Sequence, residues 1–254
     1  FAMTWKPWHL IAALPNEQVL TLPDQEITLS SSRFMGSLEL HPGPALGLYE
    51  TVVEVETPKA VSTSGWVLSA GKIAASTRED PSLANAHRLG LRVEALVPDA
   101  GLMAALAGRD LPPVIELLRL DATAELTAPV DRAMGQTHPQ VQALDLTEAR
   151  MVWGSFVVTA KGGLKAGPDG RAEGEIAIHI ENWRNLPPLL AAMGLISADL
   201  APTLERGLEV LAKSGPDPEV LDLPLKAAKG QMRLGPLPLG AAPVLRRDLA
   251  APAG

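Results

Sequence analysis

Alternation with a period of two runs through most of this chain. Leu38 and Leu40 share one parity, and Val53 and Val55 stand against Glu54 and Glu56. Leu89, Leu91, Val93 and Ala95 face one way, while Arg88, Arg92 and Glu94 face the other. In "LLRLDATAEL", Leu118, Leu120, Ala122, Ala124 and Leu126 oppose Arg119, Asp121, Thr123 and Glu125. Strands divided this cleanly belong to antiparallel sheets with one covered and one solvated face. Strands buried on both faces read instead as continuous aliphatic runs.

The stretch "AGPDGRAEGEIAIHIENWR", residues 166–184, carries a turn with a mechanism. Pro168 presets φ, and Gly170 accepts the positive φ that other residues resist. It joins "MVWGSFVVTAKGGL" to "GEIAIHI" as a hairpin. Ile176, Ile178 and Ile180 point inward in the second strand, and Trp183 falls out of their parity, which ends the strand near Asn182. Helical signals are fewer. Residues 202–213 place Leu204, Leu208 and Leu211 on one face, with Pro202 in the first turn, a Glu209–Lys213 pair and Gly215–Pro216 as the stop. Shorter helical turns are expected over 100–107 and 189–193.

This pattern predicts an α+β fold, mainly β: a long twisted or curved antiparallel sheet with a few helices packed across one face. One elongated domain covers residues 1–240, and an Ala/Pro-rich tail at 241–254 is expected to be flexible. Strand, short helix and strand recur over about 88–126 and 175–234, the outline of an internal repeat.

Composition narrows the function classes. A net charge of −7 without a basic block argues against a nucleic-acid partner. The absence of cysteine excludes disulfides, thiolate metal sites and Cys nucleophiles. The longest uncharged apolar window, 185–198, is too short to span a bilayer and contains Pro187–Pro188. Opening on Phe1 without an initiator Met, the sequence reads as a piece of a longer chain.

No constellation for catalysis or cofactor binding stands out. His9, His41, His87, His138 and His179 are scattered, and none forms a metal-binding pair at helical spacing. His179 shares an outward strand face with Glu175 and Glu181, a pattern that a solvated face produces as readily as a cation site. There is no G-x-S-x-G elbow and no glycine-rich phosphate loop. "DGRAEGE" lacks the alternating ligands of a calcium loop. Trp5 and Trp8 flank Pro7, and Trp66, Trp153 and Trp183 are spread out; such residues close the ends of a core more often than they line a site. The expectation is therefore no cofactor, no metal and no catalytic residue.

Several segments together resemble a known family. They are "WKPWHLIAALPNEQVLTLPDQEITLSSS", "LPPVIELLRLDATAELTAPVDRA", the 147–184 stretch, "LAPTLERGLEVLAK" and "LDLPLKAAKGQMRLGPLPLG". The chain resembles the bacterial envelope family called domain of unknown function 2125. The most specific pieces are the hairpin of Asp169, Gly170 and Gly174, the run Asn182–Trp183–Arg184, and the closing glycine-punctuated stretch at 230–240. The resemblance implies a periplasmic location and an inner-membrane tether through a preceding hydrophobic segment. It supplies no catalytic residue. More remotely, the strand-rich hairpins are similar to AsmA-like envelope proteins, which implies lipid handling along long curved sheets.

On these grounds the expected function is non-enzymatic: binding of a lipid or another hydrophobic ligand in a sheet groove, with other envelope proteins as further candidate partners. The expected lining is Leu89, Leu91, Val93, Leu118, Leu120, Ile176, Ile178 and Ile180. Asn182, Trp183 and Arg184 are expected to act as scaffold at a strand end. The alternatives are an interaction module with a filled core and, further off, a carboxylate-dependent hydrolase of envelope glycans or lipids.

Overall fold

The computed structural model describes residues 8–247 together with the backbone of Ala2–Met3; Trp5 lies outside the described residues. The chain begins with β1 (Ala2–Met3), β2 (His9–Ala13), β3 (Glu17–Thr21), β4 (Glu26–Ser30) and β5 (Arg33–Leu40). Next come β6 (Leu48–Glu56), β7 (Lys59–Ser62), β8 (Val67–Ser69), β9 (Lys72–Glu79) and β10 (Ala86–Leu96). Helix α1 (Ala100–Ala105) leads to β11 (Ile115–Leu126), α2 (Met134–Thr137), β12 (Val141–Trp153), β13 (Phe156–Ala166) and β14 (Ala172–Glu181). Helices α3 (Leu186–Ala192) and α4 (Ala201–Lys213) precede β15 (Val220–Ala228), β16 (Gln231–Leu234) and β17 (Leu237–Ala241).

Thirteen of these strands make one antiparallel sheet in nearly sequential order, β1-β2-β5-β6-β9-β10-β11-β12-β13-β14-β15-β16-β17. The two gaps in the numbering are hairpins, β3–β4 and β7–β8, that pair with each other as a separate four-stranded sheet. Because direction alternates across an antiparallel sheet, β2, β6, β10, β12 and β14 all end at the same rim. Four of the six connections leaving that rim, where β16 also ends, are long: the two hairpins, the segment bearing α1, and the segment bearing α3 and α4. Each folds back over the apolar face and forms a second layer along that rim.

Period-two patterning dictates which face is covered. Val55, Ile73, Val93, Leu118, Met151, Val158, Ile180 and Leu221 stand opposite one another in a row across eight strands. The helical part of the second layer seals the far end of this row. Leu106, Leu189, Leu204 and Leu208 pack there with Ile115, Trp153, Phe156, Ile180 and Leu221. Helix α4 presents Leu204, Leu208 and Ala212 to the core, at the spacing of one helix face.

The opposite rim is closed by the connection between β11 and β12, which carries α2, and by the C-terminal segment. Leu48 N donates to Val130 O at 2.8 Å, tying the loop after β11 back to β6. At the other end, Ala242 is buried and Leu245 packs with Ala172, Ala227 and Leu164. Leu245 N and Arg246 N both donate to Gly170 O, and Gln140 exchanges two hydrogen bonds with the backbone of Arg247.

Several sequence expectations change here. Residues 242–247 are docked, because the turn at 167–171 offers backbone groups that pair with them; residues 248–254 lie outside the described residues. "MVWGSFVVTAKGGL" is not one strand but the end of β12 and most of β13, broken at Gly154 (φ 59°). Ala95 leaves the inward parity and is exposed, since its φ of 51° interrupts the strand geometry, while the register runs on from Glu94–Leu117 to Leu96–Ile115. A bulge also shifts Leu126 out of register with the rest of β11. The four-stranded sheet was not foreseen at all.

Two outcomes follow from this packing. A Cβ on Gly170, whose φ is 75°, would lie 1.8 Å from Arg246 O. Gly170→Ala is therefore expected to detach the C-terminal segment, lowering stability by about 1–3 kcal/mol and exposing residues 242–247 to rapid proteolysis. In the β9–β10 turn, buried Asp80 accepts hydrogen bonds from Arg88 Nε (2.8 Å), Ser82 Oγ (2.6 Å) and Ser82 N (3.0 Å). These donors, Arg88 first, hold its carboxyl well below the usual range. A depressed folded pKa stabilises the fold above the unfolded value of about 3.9 and ceases to do so as pH falls through the folded value. The Tm gap between wild type and Asp80→Asn is thus expected to be full at pH 7 and to shrink below about pH 4.

Candidate functional site

A second eight-strand row lies next to the sealed one and reads Val53, Ala75, Leu91, Leu120, Ala149, Ala160, Ile178 and Leu223. A third reads Thr51, Thr77, Leu89, Ala122, Leu146, Gly162, Ile176 and Leu225. All eight residues named from sequence as lining fall in these three rows on one face. They do not share one environment. Val93 and Ile180 are buried beneath or beside the second layer, and Ile176 belongs to a small cluster with Ala122 and Leu146. Leu89, Leu118, Leu120 and Ile178 are half-buried, and Leu91 is 37% exposed.

The middle row contains three alanines where the sealed row has large aliphatics. This aliphatic floor, with its three alanines, lies between the second layer on one rim and the loop and C-terminal segment on the other. With strands about 4.8 Å apart, eight strands give this floor a length of roughly 34 Å.

Two apolar clefts lie within the second layer and its contacts with the main sheet. One, of about 300 Å³, separates the four-stranded sheet from the main sheet and is lined by Leu29, Ala60 and Leu68 on one side and Phe34, Val55 and Ile73 on the other. The other, of about 240 Å³, lies between α3–α4 and the β16–β17 hairpin. Its walls include Leu190, Leu204, Leu208, Leu234 and Leu237, with Thr203 its only hydroxyl side chain. Sequence reasoning missed both clefts. The wall residues of β4, β7 and β8 sit in strands of three to five residues, too short for alternation to stand out.

The family-like motifs sit in the scaffold around this face. Asp169 Oδ1 accepts from Arg171 N at 3.1 Å and shapes the turn, while Arg171 Nη1 donates to Ala242 O at 2.8 Å. Gly174, at φ 143°, allows the β13 backbone to approach: a Cβ there would lie 2.2 Å from Gly163 O. Asn182 adopts the left-handed conformation and its Nδ2 donates to Ser155 O at 2.6 Å. Trp183 is fully buried, with Nε1 donating to Pro218 O at 3.0 Å. Arg184 lies over the Trp183 ring and pairs with Glu219. Together these groups turn the chain from β14 into the helical layer.

The polar face holds the other titratable groups. His179 Nδ1 lies 2.8 Å from Asp222 Oδ1, and Glu181 is 3.9 Å from its Nε2. Glu175 is taken up by Lys226 at 3.2 Å, so the expected carboxylate–His–carboxylate row is partitioned into pairs. Among the described residues no cluster of three or more His, Asp or Glu can hold a metal ion. His87 is the one buried histidine; burial pushes its pKa down, although Glu79 opposes this. Among the described residues no helix is long and apolar enough to cross a membrane.

No curated protein and no solved structure matches the chain. A family model described as "Uncharacterized protein conserved in bacteria (DUF2125)" matches residues 1–243. With nearly the whole chain covered, from the N-terminal strands to the segment docked on Gly170, this protein belongs to the DUF2125 family.

Proposed function

We propose that this protein is a non-enzymatic carrier or receptor for a lipid or similar hydrophobic ligand, held along the floor of the apolar face. One observation carries the reading. The row from Val53 to Leu223 is aliphatic throughout, yet Leu91, third along it, remains solvent-accessible, with cover only along its rims. Protein interiors close at near-crystalline density, so a floor meant to be filled would carry large side chains rather than Ala75, Ala149 and Ala160. An extended apolar surface left open marks a binding site. Two further clefts, one under the four-stranded sheet and one under α3–α4, are apolar as well.

The remote likeness to AsmA-like envelope proteins read from the sequence points the same way. On the family resemblance we also read the protein as periplasmic, tethered at the inner membrane by a segment preceding Phe1.

The test is native mass spectrometry of protein prepared from bacterial envelope without detergent, with extraction and identification of what is bound. Reproducible lipid-mass adducts are expected. Displacement of 1-N-phenylnaphthylamine then reports the site. Leu91→Asp is expected to weaken probe binding about tenfold or more, since a charge on the floor must be desolvated. Ser76→Asp, on the opposite face of the neighbouring strand, is expected to leave it unchanged. A protein free of adducts that binds the probe equally well in both variants defeats the groove and favours an interaction module with a functionally closed core.

A further inference from the structure

The solvated face of the sheet carries an arrangement unrelated to the apolar floor. One cross-strand row on β10 to β15 reads Arg92, Arg119, Arg150, Thr159, His179 and Asp222. Three arginines stand directly opposite one another on neighbouring strands, in a chain whose net charge is −7. Like charges so placed repel and cost stability. Arg92 is offset by Glu94 at 2.5 Å, and Arg119 by Asp121 at 2.6 Å and Glu148 at 3.8 Å. Among the described residues Arg150, the arginine on β12, has no carboxylate within ion-pairing distance, and neither has Lys161 beside it on β13. Both reach into a hollow of about 550 Å³.

That hollow is dipolar. Its floor is the short side chains of Thr159 and Ala177, and Arg150 and Lys161 form one wall. Glu181 and Asp222, on either side of His179, form the other. A guanidinium fork, an ammonium and a hydroxyl without internal partners match the oxygens of a phosphate. Two exposed carboxylates across from them match an amine. We propose that this hollow binds an amine-bearing phosphate ester, with the phosphate held by Arg150, Lys161 and Thr159 and the ammonium by Glu181 and Asp222. The same chemistry occurs in a free phosphorylated amine and in an ethanolamine phospholipid headgroup. The site lies on the opposite face of the sheet from the apolar floor and does not depend on it.

The experiment is a ³¹P NMR titration of the whole chain with O-phosphoethanolamine and, separately, with inorganic phosphate. Wild type is expected to bind phosphoethanolamine more tightly than phosphate. Arg150→Gln combined with Lys161→Gln is expected to weaken it about tenfold or more, with near-UV circular dichroism unchanged because both side chains are exposed. Glu181→Gln is expected to reduce the preference over inorganic phosphate. Co-sedimentation with phosphatidylethanolamine vesicles, reversed by free phosphoethanolamine, identifies the headgroup as the source; binding of the free compound without co-sedimentation identifies a soluble one. No binding by wild type up to about 10 mM, equal binding of the two compounds, or unchanged binding in the double variant overturns the proposal.

Discussion

The constraint on which the structure depends is the single apolar face of a thirteen-stranded antiparallel sheet. Strict alternation over eight consecutive strands gives three aliphatic rows, and a sheet this wide exposes far more apolar surface on that face than one helix can cover. The chain meets the constraint with whatever leaves the strands. Four long excursions depart from the same rim, fall on the same face and line up as a second layer. The opposite rim is closed by the α2-bearing β11–β12 connection, tied down at Val130, and by the segment at 242–247. Cover is therefore dense along the rims and thin between them.

The family motifs make sense within that constraint. Asn182, Trp183 and Arg184 mark the place where chain leaves β14 for the largest excursion, and burying Trp183 fixes the angle of departure. Asp169, Gly170 and Arg171 mark the opposite rim, where the C-terminal segment must be held. Gly170 is needed less for its own turn than for the backbone that crosses it: no side chain fits beneath Arg246 O. These residues govern closure of the face rather than chemistry upon it.

This explains what was legible in the sequence. Sheet class, inward parity and helix α4 were readable because each rests on periodicity sustained over many residues, as in Leu118–Leu120–Ala122 or Leu204–Leu208. The eight aliphatic residues named from sequence share one face for the same reason. What periodicity does not encode is partnership between distant segments. Nothing in "EQVLT" or "VLS" says that β3 and β8 end up in one small sheet, and nothing in the Ala/Pro-rich stretch after 241 says that it docks on Gly170. Local breaks were lost too. The break in parity at Ala95 and the turn at Gly154 each depend on a positive φ at one residue, which a run of favourable alternation conceals.

The antiparallel design also separates two chemistries by the thickness of one sheet. Along β11, Leu118 and Leu120 face the floor while Arg119 and Asp121 face water, so a one-residue slip of register would exchange the faces. Register is held by the bulges in β11 and β12 and by the aliphatic rows themselves, since burial penalises any slip that would turn Arg119 inward. The charged row therefore inherits its geometry from the apolar one. Arg92, Arg119 and Arg150 stay opposed despite their repulsion because Leu91, Leu120 and Ala149, alternating with them on the other face, fix where their strands lie. Repulsion that would disperse three flexible surface arginines is thus held in a fixed row, and an aliphatic row and a charged hollow stand back to back across the thickness of one sheet.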